Sequence, residues 1–389
     1  MARTVLILGG GFGGLAAANE ARRLLPNDTA IIVVDRSEEF VVGAAKTWVA
    51  LGESEREEVA HSRERLGKRG IEFLQANVQR IAPADRTVET DAGTIQYDYL
   101  VVALGAEIAR DAIPGLSEGA YDFYTLDAAE RMRGALERFE GGRVVVLNTR
   151  PGYKCPPAPY EGAMLLADYF KKRGKHAEVS MVTFEGALPL MTAGPEMGRF
   201  IVGELEKAGV KYVPQHRVVS VDAASRVLKF ESGEMSYDLL VATPPHAAPG
   251  VVKDAGLTND SGWIPVDPQM CSVEGHERLF AIGDVTVLPL PGRFKPDVPL
   301  VLPKAGVIAE KQGVIVARNI ALDIAGRGSR AEYDGSAFCY VETGGNHAAR
   351  GDGQFFAMPN PNMAARTPDL EQFNEKKEWV QETVVRFLG

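Results

Sequence analysis

The chain has 389 residues, 45% of them hydrophobic and 24% charged, with a formal net charge of -9. That is enough apolar material for two or three domain cores and excludes a disordered chain. The acidic balance argues against nucleic acid as a partner and against attraction to anionic lipid. No apolar run reaches 18 residues and the first strand starts at Thr4, so the expectation is a cytoplasmic protein with neither signal peptide nor membrane span.

The chain opens with TVLILGGGFGGLAAA, in which a strand runs through Gly9-x-Gly11-x-x-Gly14, with Gly13 alongside, into an Ala-rich helix. This is the dinucleotide fingerprint in its required context: Gly9 for the tight turn, Gly11 for approach of a pyrophosphate, Gly14 for helix-on-strand packing. Asp35, which closes the next strand AIIVVD, is placed to accept hydrogen bonds from an adenosine ribose.

From Arg69 to Glu107 the pattern is a strand, two alternating strands and the apolar strand YLVVALG, and it returns between Gly209 and Pro245. Tyr97-Asp98 corresponds to Tyr237-Asp238, and Gly70 to Gly209, so the chain contains two related α/β units. The same offset lays Val5 to Leu8 on Val144 to Leu147, and Gly9, Gly11 and Gly14 on Asn148, Arg150 and Tyr153. The second unit keeps the outline but has lost the glycines, and Pro151 removes a further N–H donor, so it should not bind NAD(P)H in the usual way. In their place stands VVVLNTRPGYKCPPAPYEG, carrying Cys155 and Glu161.

Farther on, RLFAIGDV delivers Gly283 and Asp284 at the end of a strand, and PKAGVIAEKQGVIVARNI opens a helix at Lys304 and Gly306. Cys155, Cys271 and Cys339 lack metal spacing and the six histidines are scattered, so no metal site is expected. Cys271 reads as structural, and His246 fits either a site lining or a surface loop. DLEQFNEKKEWVQETVVRFLG reads as an amphipathic helix with Leu370, Phe373, Trp379 or Val380, Thr383, Val384 and Phe387 on one side. Its polar face counts five acids against three bases, the opposite of an interfacial helix, so packing on the core or on another subunit competes with membrane docking.

Two such units, the first with GxGxxG, resemble the two-dinucleotide-binding-domain flavoproteins around glutathione reductase. The resemblance implies an α/β fold of two Rossmann-like domains plus a small C-terminal segment: residues 1–115 and 246–330 for FAD, 116–245 for the second unit, and 331–389 as a cap. It implies FAD held by Gly9, Gly11, Gly13, Gly14, Asp35, Gly283, Asp284, Lys304 and Gly306, with Asp284 on the ribityl chain and the helix N-terminus and Lys304 facing the flavin pyrimidine. KCPPAPYE, together with TPPHAAP, LPKAG and Cys339 in GSAFCYVETGG, resembles the sulfide:quinone oxidoreductases and the flavoprotein subunit of flavocytochrome c sulfide dehydrogenase.

What that resemblance implies is a redox-active pair, Cys155 accepting sulfane sulfur and Cys339 facing flavin carbon 4a, with sulfide as substrate and quinone as acceptor. Glu161 then either handles protons or caps its helix. EEFVVGAAKTW and YDFYTLDAAE hold no cysteine, so FAD should be noncovalent. The greasy loop Val287 to Pro303 and the C-terminal helix are the candidate quinone entrances and peripheral membrane contacts, and a homo-oligomer fits the helix equally well. Type II NADH:quinone oxidoreductase and a slow, redox-sensing flavoprotein are the alternatives.

Overall fold

The computed structural model describes residues 3–327 and 330–389. Its first unit is a five-stranded parallel sheet in the order Glu72–Gln75, Ala30–Asp35, Thr4–Leu8, Tyr99–Val102, Leu279–Ala281. The last of these strands arrives from far along the chain, after the second unit is complete. That second unit is a four-stranded parallel sheet in the order Lys211–Val213, Ala177–Thr183, Gly142–Asn148, Leu239–Thr243. Val5, Leu6, Ile7 and Leu8, and Val144, Val146 and Leu147, are all essentially inaccessible, as strands covered on both faces must be.

The internal repeat is visible in three dimensions. Each unit carries a three-stranded antiparallel sheet, Val78–Ala82, Thr87–Thr90, Gly93–Gln96 in one and Val218–Asp222, Val227–Phe230, Gly233–Ser236 in the other. Both have the same bulge, between Val78 and Arg80 and between Val218 and Ser220. Asp98 accepts from Thr4 N–H at 2.8 Å, and Asp238 accepts from Arg143 N–H at 2.8 Å, pinning equivalent strand starts. The sequence pattern places two alternating strands between Glu72–Gln75 and Tyr99–Val102; there are three, because the chain leaves the parallel sheet at Ala76 and enters a separate antiparallel one.

The C-terminal segment is a three-stranded antiparallel sheet, Ser336–Gly344, His347–Gln354 and Asn362–Ala365, followed by the helix Leu370–Leu388. Sheet and helix lie against the helix Ala158–Lys172 of the second unit and the helix Phe12–Leu24 of the first. Phe12 meets Trp379 and Phe387 at ring-centroid distances of 6.2 and 5.9 Å, which seats the last helix on the fingerprint helix. Among the described residues no helix is long and apolar enough to cross a membrane.

Candidate active site

The fingerprint glycines divide into two kinds. A Cβ on Gly9 would stand 2.3 Å from the Ala103 carbonyl oxygen, and one on Gly14 would stand 1.8 Å from the Gly9 carbonyl oxygen. Gly13 packs under the helix Gly306–Ile324, whose Gly313 would bring a Cβ within 2.3 Å of the Gly13 carbonyl oxygen. Gly11 alone meets nothing within 4 Å. It is also the N-cap of Phe12–Leu24 and offers no capping side chain, so the first-turn N–H groups face that open space and suit a phosphate.

Asp35 ties down the loop beneath. Its Oδ2 accepts from Gly10 N–H at 2.7 Å and its Oδ1 from Ser37 N–H at 2.9 Å. Arg63, which no sequence motif marks, lies buried against it. Arg63 donates to the carbonyl oxygens of Gly10 and Ser37, both at 2.8 Å, and to that of Glu39, and its guanidinium stands 3.6 Å from Asp35.

The opposite wall is built by Gly283 and Asp284. Gly283 sits at φ +71°, and its N–H donates to Gln312 Oε1 at 2.8 Å. The amide nitrogen of Gln312 and Oδ1 of Asp284 are left buried without a partner. Two orphaned polar atoms beside an open glycine cradle are what a ribityl chain with its hydroxyls would satisfy, so the residues fit a flavin nucleotide. Burial pushes the Asp284 carboxyl up, although Lys154, Lys304 and Lys46 face it.

Lys304 donates to the carbonyl oxygens of Asp284 and Thr286 at 2.7 and 2.8 Å and lies 3.5 Å from the Trp263 ring centroid. Burial lowers it to about 8. Lys46, missed in the sequence, is lowered to about 7, by burial first and then by Lys154. Gly306 is occupied by packing: a Cβ there would come within 2.8 Å of the Phe12 ring.

The cysteine loop is hung from this wall. Lys154 bridges Lys304, the Cys155 N–H donates to the Lys304 carbonyl oxygen at 2.7 Å, and the Cys155 carbonyl accepts from Ala158 N–H at 2.9 Å. Cys155 takes a left-handed conformation, φ +56°, uncommon for a residue with a Cβ and costing about 1 kcal/mol. Cys339, on Ser336–Gly344, has its thiol on the Tyr340 carbonyl at 3.3 Å and lies beside Cys155. The neighbouring Cys155 first, and burial second, push the Cys339 thiol well up. All three cysteines are free thiols.

Cys271 is fully buried under the strand that delivers Asp284, and burial raises its thiol. His246 does not sit in an open loop. Its Nδ1 is bonded to the Pro244 carbonyl at 2.9 Å, its ring packs edge-on to Tyr124 at 5.0 Å, and burial, then Lys154, lower it to about 3.

Glu161 is buried and bound to the C-terminal segment. Lys376 Nζ stands 2.8 Å from Glu161 Oε1 and 2.6 Å from Glu342 Oε1, the Glu342 N–H donates to Glu161 at 2.9 Å, and Trp48 Nε1 donates to Glu342 at 2.8 Å. Burial raises the Glu161 carboxyl, with Lys376 pulling it down. The expected polar face of the C-terminal helix therefore needs correction. Lys376 is 1% exposed and lies in the buried stripe with Phe373, Val380, Thr383 and Phe387, because two carboxylates from other elements neutralise it there. Leu370, placed on the apolar side, is 53% exposed.

In the second unit, residues standing where the first unit has glycines bond to the protein's own side chains. Glu185, just past the strand Ala177–Thr183, accepts from Asn148 at 3.2 Å, from Tyr153 at 3.4 Å and from Tyr160. Asn148 and Tyr153 are two of the residues standing where the first unit has glycine. Arg150, the third, is exposed and donates to the Ala112 carbonyl at 3.3 Å.

The leucines of Val287 to Pro303 do not form an open mouth. Leu288, Leu290, Leu300 and Leu302 are buried together with Tyr333 and Phe355. A cavity of about 520 Å³ opens instead beside the helix Gly306–Ile324, lined by Val307, Val314, Ile315, Phe338 and Trp379 and by the charged Glu310, Lys311, Arg318, Glu332, Asp334 and Arg386. Among the described residues no group of side chains could hold a metal ion.

The chain matches the family described as pyridine nucleotide-disulphide oxidoreductase over residues 3–147 and 162–313. The mitochondrial sulfide:quinone oxidoreductase of Mus musculus is 27% identical over 368 residues, covering 91% of this chain and 79% of that protein. The type II NADH:quinone oxidoreductase of Staphylococcus haemolyticus is 26% identical over 340 residues, covering 82% of each. The structure of the sulfide:quinone oxidoreductase from Aquifex aeolicus superposes with a TM-score of 0.89 at 24% identity, over 100% of this chain and 92% of that one. The resemblance carried by KCPPAPYE and the two-Rossmann fold thus has independent support.

Proposed function

The chain belongs to the pyridine nucleotide-disulphide oxidoreductase family and is a flavin oxidoreductase, and on that premise we propose that it oxidises sulfide through Cys155 and Cys339 and passes the electrons, through noncovalent FAD, to a quinone. The observation that carries this reading is the meeting of the two cysteines at the mouth of the helix Gly306–Ile324, with Cys155 bonded to the Lys304 carbonyl.

In the oxidised enzyme the two sulfurs form a disulfide. Hydrosulfide adds to one of them, the S–S bond breaks, a persulfide forms on that cysteine and the other leaves as thiolate. When bound, FAD would supply a two-electron carrier between the cysteine pair and the quinone. Lys46, Lys154 and Lys304 set a positive field around the thiolate and the flavin edge. Gly9 to Gly14, Asp35, Asp284 and Gln312 hold the nucleotide.

The cavity against Phe338 and Trp379 has the size a quinone ring needs, with an aromatic and aliphatic wall facing charged side chains, and Phe338 adjoins Cys339 in the chain. No cysteine other than this pair is accessible, which supports a noncovalent flavin. A type II NADH:quinone activity is the second reading, favoured by the Staphylococcus relative. It is opposed by the side chains that stand in the second unit where the first has glycines.

The test is anaerobic reduction of the FAD-loaded protein. Sulfide should bleach the flavin absorption within seconds and NADH should not; the reverse would make the second reading the function. Acid precipitation should release all the yellow colour, and colour retained by the pellet would show a covalent link.

A further inference from the structure

We propose that Glu161, Lys376 and Glu342 form a proton relay that carries the proton released at the cysteine pair to the cavity bounded by Trp48, Glu53 and His61. The proposal rests on the sulfide-oxidising reading for the source of the proton.

Three ionisable side chains are joined here in an unbroken line and shut away from water. The Lys376, Glu161 and Glu342 side chains are 1%, 6% and 3% exposed, and the two N–O distances are 2.8 and 2.6 Å. A buried ammonium that only needed neutralising would need one carboxylate. A second leaves an uncompensated negative charge in a medium where charge is costly, and one added proton removes it. The cluster is therefore built to exchange a proton, and burial already raises Glu161 toward holding one.

The two ends of the line are distinct. Glu161 lies in the first turn of Ala158–Lys172, the helix that follows Cys155, and binds the N–H of Glu342, three residues beyond Cys339. Its charge acts on the Cys339 thiol, with Lys376 opposing it. At the other end Trp48 donates to Glu342 and also lines a cavity of about 550 Å³ together with Glu53, Glu58, His61 and Lys377. Glu53 faces the relay: burial, and next Glu342, raise its carboxyl, while Lys172 and Lys377 lower it and Asp168 adds to the rise. Cys155 and Tyr124 complete the charged and titratable surroundings on the cysteine side.

The persulfide S–H gives its proton to a Glu161 oxygen. Lys376 takes that proton while releasing another to Glu342, and the Glu342 proton leaves to Glu53 through the cavity. No electrons move in these steps, and each group regains its starting charge.

Infrared spectra of the FAD-loaded protein, taken between about pH 5 and 9, should show the C=O band of a protonated carboxylic acid that titrates as one group. The band should vanish in Glu161→Gln and titrate at higher pH in Lys376→Met, where the cation is gone. This arm needs no sulfide, so it tests the relay even if sulfide proves not to be the substrate. In sulfide turnover, Glu342→Gln should lower kcat about tenfold or more with KM unchanged. Small diffusible bases such as imidazole or formate, which can take up the exported proton, should restore the rate, and Glu53→Gln should show the same pattern more weakly.

Should Glu342→Gln fail to fold, Glu53→Gln and Trp48→Phe decide the turnover arm. A cluster with no titrating band, or wild-type kcat in both Glu342→Gln and Glu53→Gln, overturns the proposal. A loss of rate that small bases do not restore also overturns it, because the residues would then be structural.

Discussion

The backbone N–H of Cys155 donates to the carbonyl oxygen of Lys304 at 2.7 Å, so the cysteine of one Rossmann unit hangs from the segment that opens the flavin-side helix of the other. The bond crosses between units that share a repeat but have taken different tasks. One keeps the open glycine turn at Gly11, and the other carries the loop of Cys155.

Replacing Cys155 or Cys339 by Ser should therefore abolish flavin reduction by sulfide, with FAD still bound, since the cradle lies in the first unit. Stopped-flow absorbance and flavin content check both halves. A long-wavelength charge-transfer band between thiolate and flavin should survive in Cys155→Ser and disappear in Cys339→Ser. The opposite pattern exchanges the two roles. Cys271→Ala should leave reduction intact while costing about 1–2 kcal/mol of stability for the buried sulfur.

NADH should not reduce the flavin rapidly, because Asn148 and Tyr153 stand where the first unit has glycines and bond, with Tyr160, to Glu185, while Thr183 stands at the place of Asp35. Fast flavin bleaching at micromolar NADH would contradict this. Tyr153→Gly alone should not create NADH activity, since Tyr160 and Asn148 still hold Glu185. Saturation-transfer NMR with NADH would report any gain in binding.

Arg63→Leu should release FAD and destabilise the protein by about 3 kcal/mol, leaving the carbonyls of Gly10, Ser37 and Glu39 without their donor. Flavin titration and chemical denaturation measure the two effects. Unchanged affinity would mean that Asp35 holds the loop without help.

His246 should make stability fall with acid. Its folded value is depressed to about 3, whereas an unfolded histidine titrates near 6.5, so below 6.5 the unfolded chain binds the extra proton. The contribution is complete above about 6.5 and declines by ~1 kcal/mol per pH unit on the way down. His246→Gln should flatten the pH dependence of the denaturation midpoint between pH 7 and 5. An identical slope in the two proteins would show that His246 does not contribute.

The local patterns decided a large share of this protein. A strand, three spaced glycines and an Ala-rich helix specify a nucleotide cradle because turn geometry and close packing are properties of neighbouring residues, and the structure leaves Gly11 open to a ligand as the spacing implies. The repeat was equally legible, down to bulges at matching positions, because both copies keep their alternation. KCPPAPYE pointed to sulfur chemistry through its resemblance to the sulfide:quinone oxidoreductases. The tertiary structure decided what depends on partners far apart in the chain. Lys376 looks like one more surface lysine in a charged helix. It is a core residue because Glu161 and Glu342, 215 and 34 positions away, neutralise it. Arg63 and Lys46 carry no motif, and their value to the site comes from the carbonyls and carboxylates that the fold gathers around them. The leucines of Val287 to Pro303 read as an exposed entrance and are a core. Hydropathy along a chain reports the side chain itself, whereas the cost of burying a charge, or the gain from burying a leucine, is fixed by what stands opposite it.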